Sequence, residues 1–338
     1  MKKSVFLGTL AVAGLTAGIA AAGTLEDVQA RGVLNCGVTT GLAGFAAPDS
    51  NGVWQGFDVS YCRAVAAAVL KDPTKVKFVP TTGQTRFTAL ASGEVDMLAR
   101  NTTWTFSRDV DLKFTFVGIN YYDGQGFMVP KSLGVSSAKE LDGATVCIQT
   151  GTTTELNLAD YFKANNMQYE PVPIETNAEA QQQFLAGACD VYTTDRSGLA
   201  ATRATFANPG DYVILPETIS KEPLGPLVRQ GDDQWADIVR WVTNALVEAE
   251  DLGITSANLE ELSKGTNNPE INRMLGTEGN FGEMLGLDKD WAKRAIAANG
   301  NYGEIFAANL GESTPIGLAR GLNALWTQGG LQYSPPFR

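Results

Sequence analysis

The chain has 338 residues, with 37 acidic against 26 basic side chains, a formal charge of −11, and no histidine. That balance argues against nucleic acid and anionic lipid as partners. The missing imidazole removes Ser-His-Asp and Cys-His triads, His-ligated zinc and a histidine general base in one step. What remains is chemistry on Asp, Glu, Lys or Tyr, or binding alone, in a chain long enough for two domains more naturally than one.

Residues 1–22 begin with Lys2 and Lys3, continue through an apolar run from Val5 to Ala20, and end in Ala20-Ala21-Ala22 before Gly23. This predicts a secretory signal with an A-x-A cleavage site. A membrane anchor is the competing reading, disfavoured by a short run rich in Ala and Gly with no following Cys to carry lipid. No later stretch approaches the length of a spanning helix. Removing Lys2 and Lys3 takes the charge from −11 to −13.

An even count of cysteines in an exported chain implies disulfides, and Cys36, Cys62, Cys147 and Cys189 allow three connectivities. No C-x-x-C spacing points to metal or redox work. Cys36–Cys62 with Cys147–Cys189 is the expected pairing, because each bridge then stays within one of two similar halves. Each contributes about 3–4 kcal/mol in the chain-entropy model.

In chain order, Leu25–Arg31 reads as a short helix and Gly32–Val38 as a strand, followed by a loop from Thr39 to Gly52. Gly56-Phe57-Asp58-Val59 opens a helix with Val59, Cys62, Ala66, Val69 and Leu70 at helical spacing, stopped by Pro73. A strand over Lys75–Pro80, a helix over Arg86–Ala91 ended by Gly93, and a strand over Val95–Ala99 complete a β-α-β-α-β unit. That order specifies a mostly parallel sheet with helices on its faces. The stretch from Arg100 to Arg108 then spills from a buried strand's C-terminal end, where open α/β sheets bind small ligands. Asn101, Thr103 and Thr105 offer donors and acceptors, and Arg108 a planar fork that matches a carboxylate. Alone, the stretch also fits a polar surface loop.

Lys113–Val129 holds extended segments broken by Asp123-Gly124-Gln125-Gly126, one of them crossing to a second domain. A strand over Ala144–Gln149 leads into Thr152-x-x-Glu155, a capping box for a helix from Leu156 to Asn165. Its free N–H groups would suit an anion, or the helix is merely well capped. Tyr169–Ile174 is a strand, Ala178–Ala186 a helix, and Cys189–Thr194 a strand with Asp195 at its end. Leu90–Asp96 and Leu185–Asp190 share a helix end, a Gly and a strand opening with acid, as two pseudo-equivalent domains would. Tyr212–Leu215 suits the return crossing, and Asp233–Asp251 is a helix with Trp235, Ile238, Val239, Val242, Ala245 and Leu246 on its apolar face. From about residue 258 the chain is rich in Asn, Gly and Glu, with short helices expected over Asp288–Asn299 and Ile316–Trp326.

Taken together, Gly56–Val59, Phe87–Asp96, the loop to Arg108, Gly151-Thr152-Thr153 and Asp190–Asp195 resemble solute-binding proteins of polar amino-acid ABC transporters (family 3). Tyr121–Phe127, Gln149–Tyr161 and Asn301–Glu304 are similar to its general L-amino-acid-binding subgroup. The resemblance covers nearly all of the chain beyond the leader. It implies an α/β, two-lobe periplasmic-binding-protein fold of type II, each lobe a mostly parallel sheet flanked by helices. Lobe 1 would hold residues 23–120 and 219–338, including a C-terminal extension, and lobe 2 residues 121–218, with ligand trapped between them.

The resemblance also implies a monomeric periplasmic receptor, without cofactor or metal, that hands an L-amino acid to the membrane permease of an ABC transporter. By its pattern Arg108 clamps the α-carboxylate, Thr103 and Asn101 bind ligand, Thr152 adds carboxylate contacts and Asp195 takes the ammonium. Arg86 stands 22 residues before Arg108, where acidic-amino-acid binders carry a side-chain-recognising arginine, favouring Glu, Gln, Asp and Asn. An Arg capped against its own lobe is the competing reading. Leu42 replaces an aromatic on which many relatives stack the ligand, which weakens any preference for flat ligands. Placing Arg108 and Asp195 on opposite lobes would make closure depend on ligand, since only the closed state satisfies both charges. The alternative is an arogenate/prephenate dehydratase-like enzyme on the same fold.

Overall fold

The computed structural model describes residues 23–338, so the expected leader lies outside the described residues. Helix α1 (Thr24–Arg31) ends at Gly32, whose φ of 69° is the left-handed cap that a Cβ would penalise. It leads to β1 (Leu34–Thr39), a small ribbon of β2 (Ala47–Pro48) and β3 (Trp54–Gln55), and α2 (Phe57–Leu70). Then come β4 (Val76–Thr81), α3 (Arg86–Ala91), β5 (Met97–Leu98), β6 (Phe114–Phe116) and the crossing strand β7 (Tyr121–Asp123).

A second unit follows: β8 (Gln125–Pro130), β9 (Ala144–Gln149), α4 (Thr153–Ala164), β10 (Tyr169–Ile174), α5 (Asn177–Leu185), β11 (Val191–Asp195), α6 (Arg196–Ala204) and β12 (Tyr212–Ile214). The chain returns through β13 (Glu222–Leu224) and β14 (Leu227–Arg229) into the long helix α7 (Asp233–Asp251). Short helices α8 (Leu259–Leu262), α9 (Pro269–Met274) and α10 (Phe281–Met284) precede α11 (Trp291–Asn299) and α12 (Tyr302–Asn309).

Two five-stranded sheets result, ordered β4-β1-β5-β14-β6 and β10-β9-β11-β8-β12. In both, the second strand in that order (β1 or β9) has a parallel neighbour on each side, and the fourth (β14 or β8) pairs antiparallel with both of its neighbours. The internal similarity seen in the sequence has a structural counterpart. Asp96 accepts the Asn35 N–H at 2.8 Å and Asp190 the Thr145 N–H at 3.0 Å, each bracing the start of the neighbouring strand. One disulfide joins Cys36 to Cys62 and the other Cys147 to Cys189, with Cα separations of 6.0 and 5.6 Å, so each stays within one lobe.

Between the lobes, β7 and β13 pair antiparallel, Asp123 opposite Glu222 and Tyr121 opposite Leu224. This corrects the expected return crossing at Tyr212–Leu215: Tyr212–Ile214 instead pairs with β8 as an edge of the second sheet. Three β-formers look alike in either place, and only the missing partner on β8 decides.

The C-terminal third enlarges the first lobe. Trp235 of α7 and Trp291 of α11 are buried in one apolar cluster with the Ala- and Val-rich face of α2. The helix expected over Ile316–Trp326 is reduced to a single turn at Gly321–Asn323. Gly317 and Gly321 take φ of 68° and 50°, and Leu318 and Leu325 form isolated bridges with Gly311 and Gln332. This tail braces the crossing: the Asn323 Oδ1 accepts the Tyr122 N–H at 2.7 Å while its Nδ2 donates to the Tyr122 carbonyl at 3.1 Å. Among the described residues no helix is long and apolar enough to cross a membrane.

Candidate ligand-binding site

The loop after β5 begins at Arg100 and turns immediately. Asn101 takes φ of 35°, a left-handed conformation that Asn tolerates better than most residues, and its N–H donates to Asp58 Oδ2 at 2.9 Å. Asp58 lies in the first turn of α2, and its burial raises its carboxyl to about 7 against the opposing Asn101 bond and Arg100 charge. The loop is then stitched to the return crossing, by a Thr103–Leu224 bridge and by the Trp104 N–H on the Pro223 carbonyl at 2.8 Å. Arg108 sits in a π-helical turn, Ser107–Asp111, and its Nη1 donates back to the Thr103 carbonyl at 2.8 Å. Its guanidinium stands 5.1 Å from the Phe87 ring centre, and that of Arg86 4.8 Å from the same ring.

Arg86, Arg100 and Arg108 are only 2, 3 and 6% exposed, and Asp195 at the end of β11 is 6% exposed. Burial pulls the Arg100 and Arg108 guanidiniums down to about 10; Arg108 adds to the fall at Arg100, while Asp195 works against it at both. Burial, then Asp123, then Glu222 push the Asp195 carboxyl well above the ordinary range, and Arg86 and Arg108 oppose that rise. Asp195 precedes α6 without a side-chain cap bond. Arg86 Nε, Arg100 Nη2 and the Asn101 Oδ1 are buried and have no hydrogen-bond partner among the described residues.

The lobes are closed on one another. Arg86 Nη2 donates to the Gly151 carbonyl at 3.3 Å, and Asn177 Nδ2 reaches Thr39 Oγ1 at 3.3 Å and the Gly41 carbonyl at 3.2 Å. A Cβ on Gly83 would lie 2.5 Å from the Thr150 carbonyl oxygen. Gly151 has φ of +71°, and a Cβ there would lie 3.0 Å from the Gly83 carbonyl carbon. Leu42 is buried, with its Cδ2 at 4.0 Å from the position of a Cβ on Gly198 of α6.

Arg86, Thr103, Arg108 and Asp195 therefore lie where the lobes meet, while Asn101 is tied by its backbone to Asp58 of its own lobe, and Thr152 plays a different part there. Its hydroxyl accepts the Glu155 N–H at 3.4 Å and donates to the Gln149 carbonyl at 2.7 Å, so the side chain is occupied as the α4 cap. Glu155 Oε2 reaches back to the Gly151 N–H at 3.2 Å, one residue beyond the reciprocal bond of a full capping box. Thr153 is the residue turned to the cleft, 3.4 Å from Thr103 Oγ1.

Glu222 was missed from the sequence. It accepts from Thr103 at 2.5 Å, Thr153 at 2.9 Å, Asn157 at 2.7 Å and Ser220 at 2.6 Å, tying hydroxyls of both lobes to the crossing ribbon. The only signal was an acid beside a proline in the interdomain stretch. Asp123, opposite it, accepts the Gly124 and Ser197 N–H groups at 2.8 and 3.3 Å, and burial lifts it to about 6.

Buried cations gathered against an acid from the other lobe match a small zwitterion. Its carboxylate would meet a guanidinium, and its ammonium the Asp195 carboxylate, which makes no cap bond to α6.

Residues 34–256 match the model of bacterial extracellular solute-binding proteins, family 3. The chain is 71% identical over 338 residues, all of both chains, to the glutamate/glutamine/aspartate/asparagine-binding protein BztA of Rhodobacter capsulatus. It is 58% identical over 342 residues, again all of both chains, to the general L-amino acid-binding periplasmic protein AapJ of Rhizobium johnstonii. A solved ABC transporter periplasmic binding protein from Brucella ovis with glutathione bound superposes with a TM-score of 0.91 at 59% identity, over 94% of this chain and 100% of that one. With the two-lobe architecture of type II in place, the chain belongs to the bacterial extracellular solute-binding proteins of family 3.

Proposed function

We propose that this protein is a periplasmic receptor that captures an L-amino acid, with Glu, Gln, Asp and Asn favoured, and delivers it to the membrane permease of an ABC transporter. Arg108 takes the α-carboxylate, assisted by Thr103 and Asn101 and by the N-terminal end of α4 at Thr152. Asp195 takes the ammonium, and Arg86 the side-chain oxygen. Residues 23–120 with 219–338 form lobe 1, residues 121–218 form lobe 2, and the leader 1–22 is removed on export. The observation that carries the reading is Asp195, a buried carboxylate without a cap bond, set against buried arginines of the opposite lobe. The naming of BztA after four acidic and amide amino acids supports the ligand preference.

The enzyme reading has less behind it. An ancestral amino acid-binding protein that is a precursor of cyclohexadienyl dehydratase shares 28% identity at a TM-score of 0.57. The relatives that match this chain over its full length are named as binding proteins. A second ligand class draws on the glutathione-bound Brucella ovis structure, since a γ-glutamyl end carries the same zwitterion.

Thermal shift and calorimetry across the twenty L-amino acids and glutathione test this, because bound ligand adds RT ln(1 + [L]/Kd) to stability. Glutamate, glutamine, aspartate and asparagine are expected to raise the unfolding midpoint. If no amino acid does, the receptor reading fails, and turnover of prephenate or arogenate would replace it with the enzyme.

A further inference from the structure

We propose that Arg100 is a second side-chain-recognising group of this cleft, holding the oxygen at the far end of the ligand's side chain. The inference rests on the receptor reading and extends it to a residue outside the zwitterion clamp.

Arg100 opens the binding loop directly before Asn101, and its guanidinium is poorly engaged. Its Nε donates to the Thr81 carbonyl at 3.3 Å, at the C-terminal end of β4, while Nη2 is buried with no partner. No ion pair holds it among the described residues. Asp58 is close enough to favour its charge, yet Asp58 Oδ2 is engaged by the Asn101 N–H. Thr81, which the Arg100 Nε holds, stands two residues before Gly83, where a Cβ would lie 2.5 Å from the Thr150 carbonyl oxygen of the other lobe, so the guanidinium is anchored where the lobes approach. Arg86, whose Nε is likewise unpaired, is its neighbour in charge.

A zwitterion's carboxylate and ammonium engage Arg108 and Asp195. That leaves Arg86 Nε and Arg100 Nη2 buried and unpaired among the described residues, a costly state unless something answers them. An oxygen at the end of the ligand's side chain does so, as a carboxylate or as an amide carbonyl. A site built this way rejects analogues that lack the oxygen, because its donors would then stay unpaired.

The test uses calorimetry with L-glutamate and, by displacement where weak, with L-2-aminobutyrate, which has the same α-groups and no distal oxygen. The full chain is compared with Arg100→Met and Arg100→Lys, with circular dichroism confirming that each is folded. Arg100→Met is expected to weaken glutamate by about tenfold or more and to leave 2-aminobutyrate within about twofold. Arg100→Lys is expected to recover part of the glutamate loss. An equal loss for both ligands would mark a structural residue, and glutamate binding unchanged in Arg100→Met would be equally fatal. Wild-type protein that binds no amino acid overturns the receptor reading, and this inference with it.

Discussion

In the first lobe, three guanidiniums gather where the parallel strands end; in the second, built on the same sheet order, the corresponding edge carries Asp195 and the start of α4. The two halves share a scaffold, down to the acids Asp96 and Asp190 that brace the starts of β1 and β9. They differ in the sign of what they bury. Under the proposed function, a half that buries cations and a half that buries an acid would each be satisfied only when closure joins them through a ligand carrying both charges. The lobes differ in bulk as well, since the C-terminal third packs only on the first, where Trp235 and Trp291 complete its core.

Removing the cationic side of this contrast is expected to have the largest effect. Arg108→Ala should weaken amino-acid binding by about 3–5 kcal/mol, since it leaves a carboxylate buried and unpaired. Calorimetry with glutamate measures it, and a loss under about 1 kcal/mol would remove Arg108 from the clamp.

Next come the disulfides, one per lobe, each expected to cost about 3–4 kcal/mol when replaced by serines. All six tryptophans lie outside residues 121–218, so fluorescence reports the first lobe and circular dichroism both. Cys147→Ser with Cys189→Ser should bring the dichroism transition ahead of the fluorescence transition. Cys36→Ser with Cys62→Ser should move the fluorescence transition to lower denaturant. Identical shifts from both pairs would mean that the lobes unfold as one.

Closure is the third point of attack. Gly151→Ala places a Cβ against Gly83 and holds a left-handed φ, a strain of about 1–2 kcal/mol. The φ strain lowers the midpoint in either form, whereas ligand affinity should fall through the contact with Gly83, which the open form escapes. An unchanged Kd would show that the lobes can close without that approach.

The smallest expected effect is protonic. In the unliganded protein Asp195 keeps its proton above the ordinary carboxylate range, whereas a carboxylate facing an ammonium must be ionised. Binding therefore releases protons below the raised pKa, and affinity should improve with pH across that window by at most about 1.4 kcal/mol per unit. Stability without ligand runs the opposite way. Asp58, lifted to about 7, and Asp123, lifted to about 6, hold protons that the unfolded chain has already released. Their contribution is present at low pH and is lost as pH rises toward neutrality. Calorimetry in buffers of different ionisation enthalpy counts the released protons, and uptake in place of release would contradict the assignment of the ammonium to Asp195.

The alternating elements were legible because each carries its own periodicity and stop signal: α3 runs Arg86–Ala91 as expected, and α7 runs Asp233–Asp251. The pairing of cysteines followed from the two halves. What stayed hidden depends on partners far along the chain. The return crossing is three residues with no period of their own, so Glu222 and its four hydrogen bonds could not be placed once Tyr212–Leu215 had been taken for that crossing. Thr152 was legible as a cap, but which of two adjacent threonines faces the cleft depends on the helical turn that starts at Thr153. The tail beyond Gly311 defied its apolar spacing because Gly317 and Gly321 adopt backbone angles that a helix excludes.

The account turns on whether Asp195 receives the ligand's ammonium. Titrating wild type and Asp195→Asn with L-glutamate and with N-acetyl-L-glutamate isolates that contact. Glutamate should lose about 2–3 kcal/mol in the variant, while the N-acetyl compound, which carries no ammonium, should bind the two proteins alike. Equal losses for both ligands, or glutamate binding that the substitution leaves intact, would contradict the zwitterion clamp.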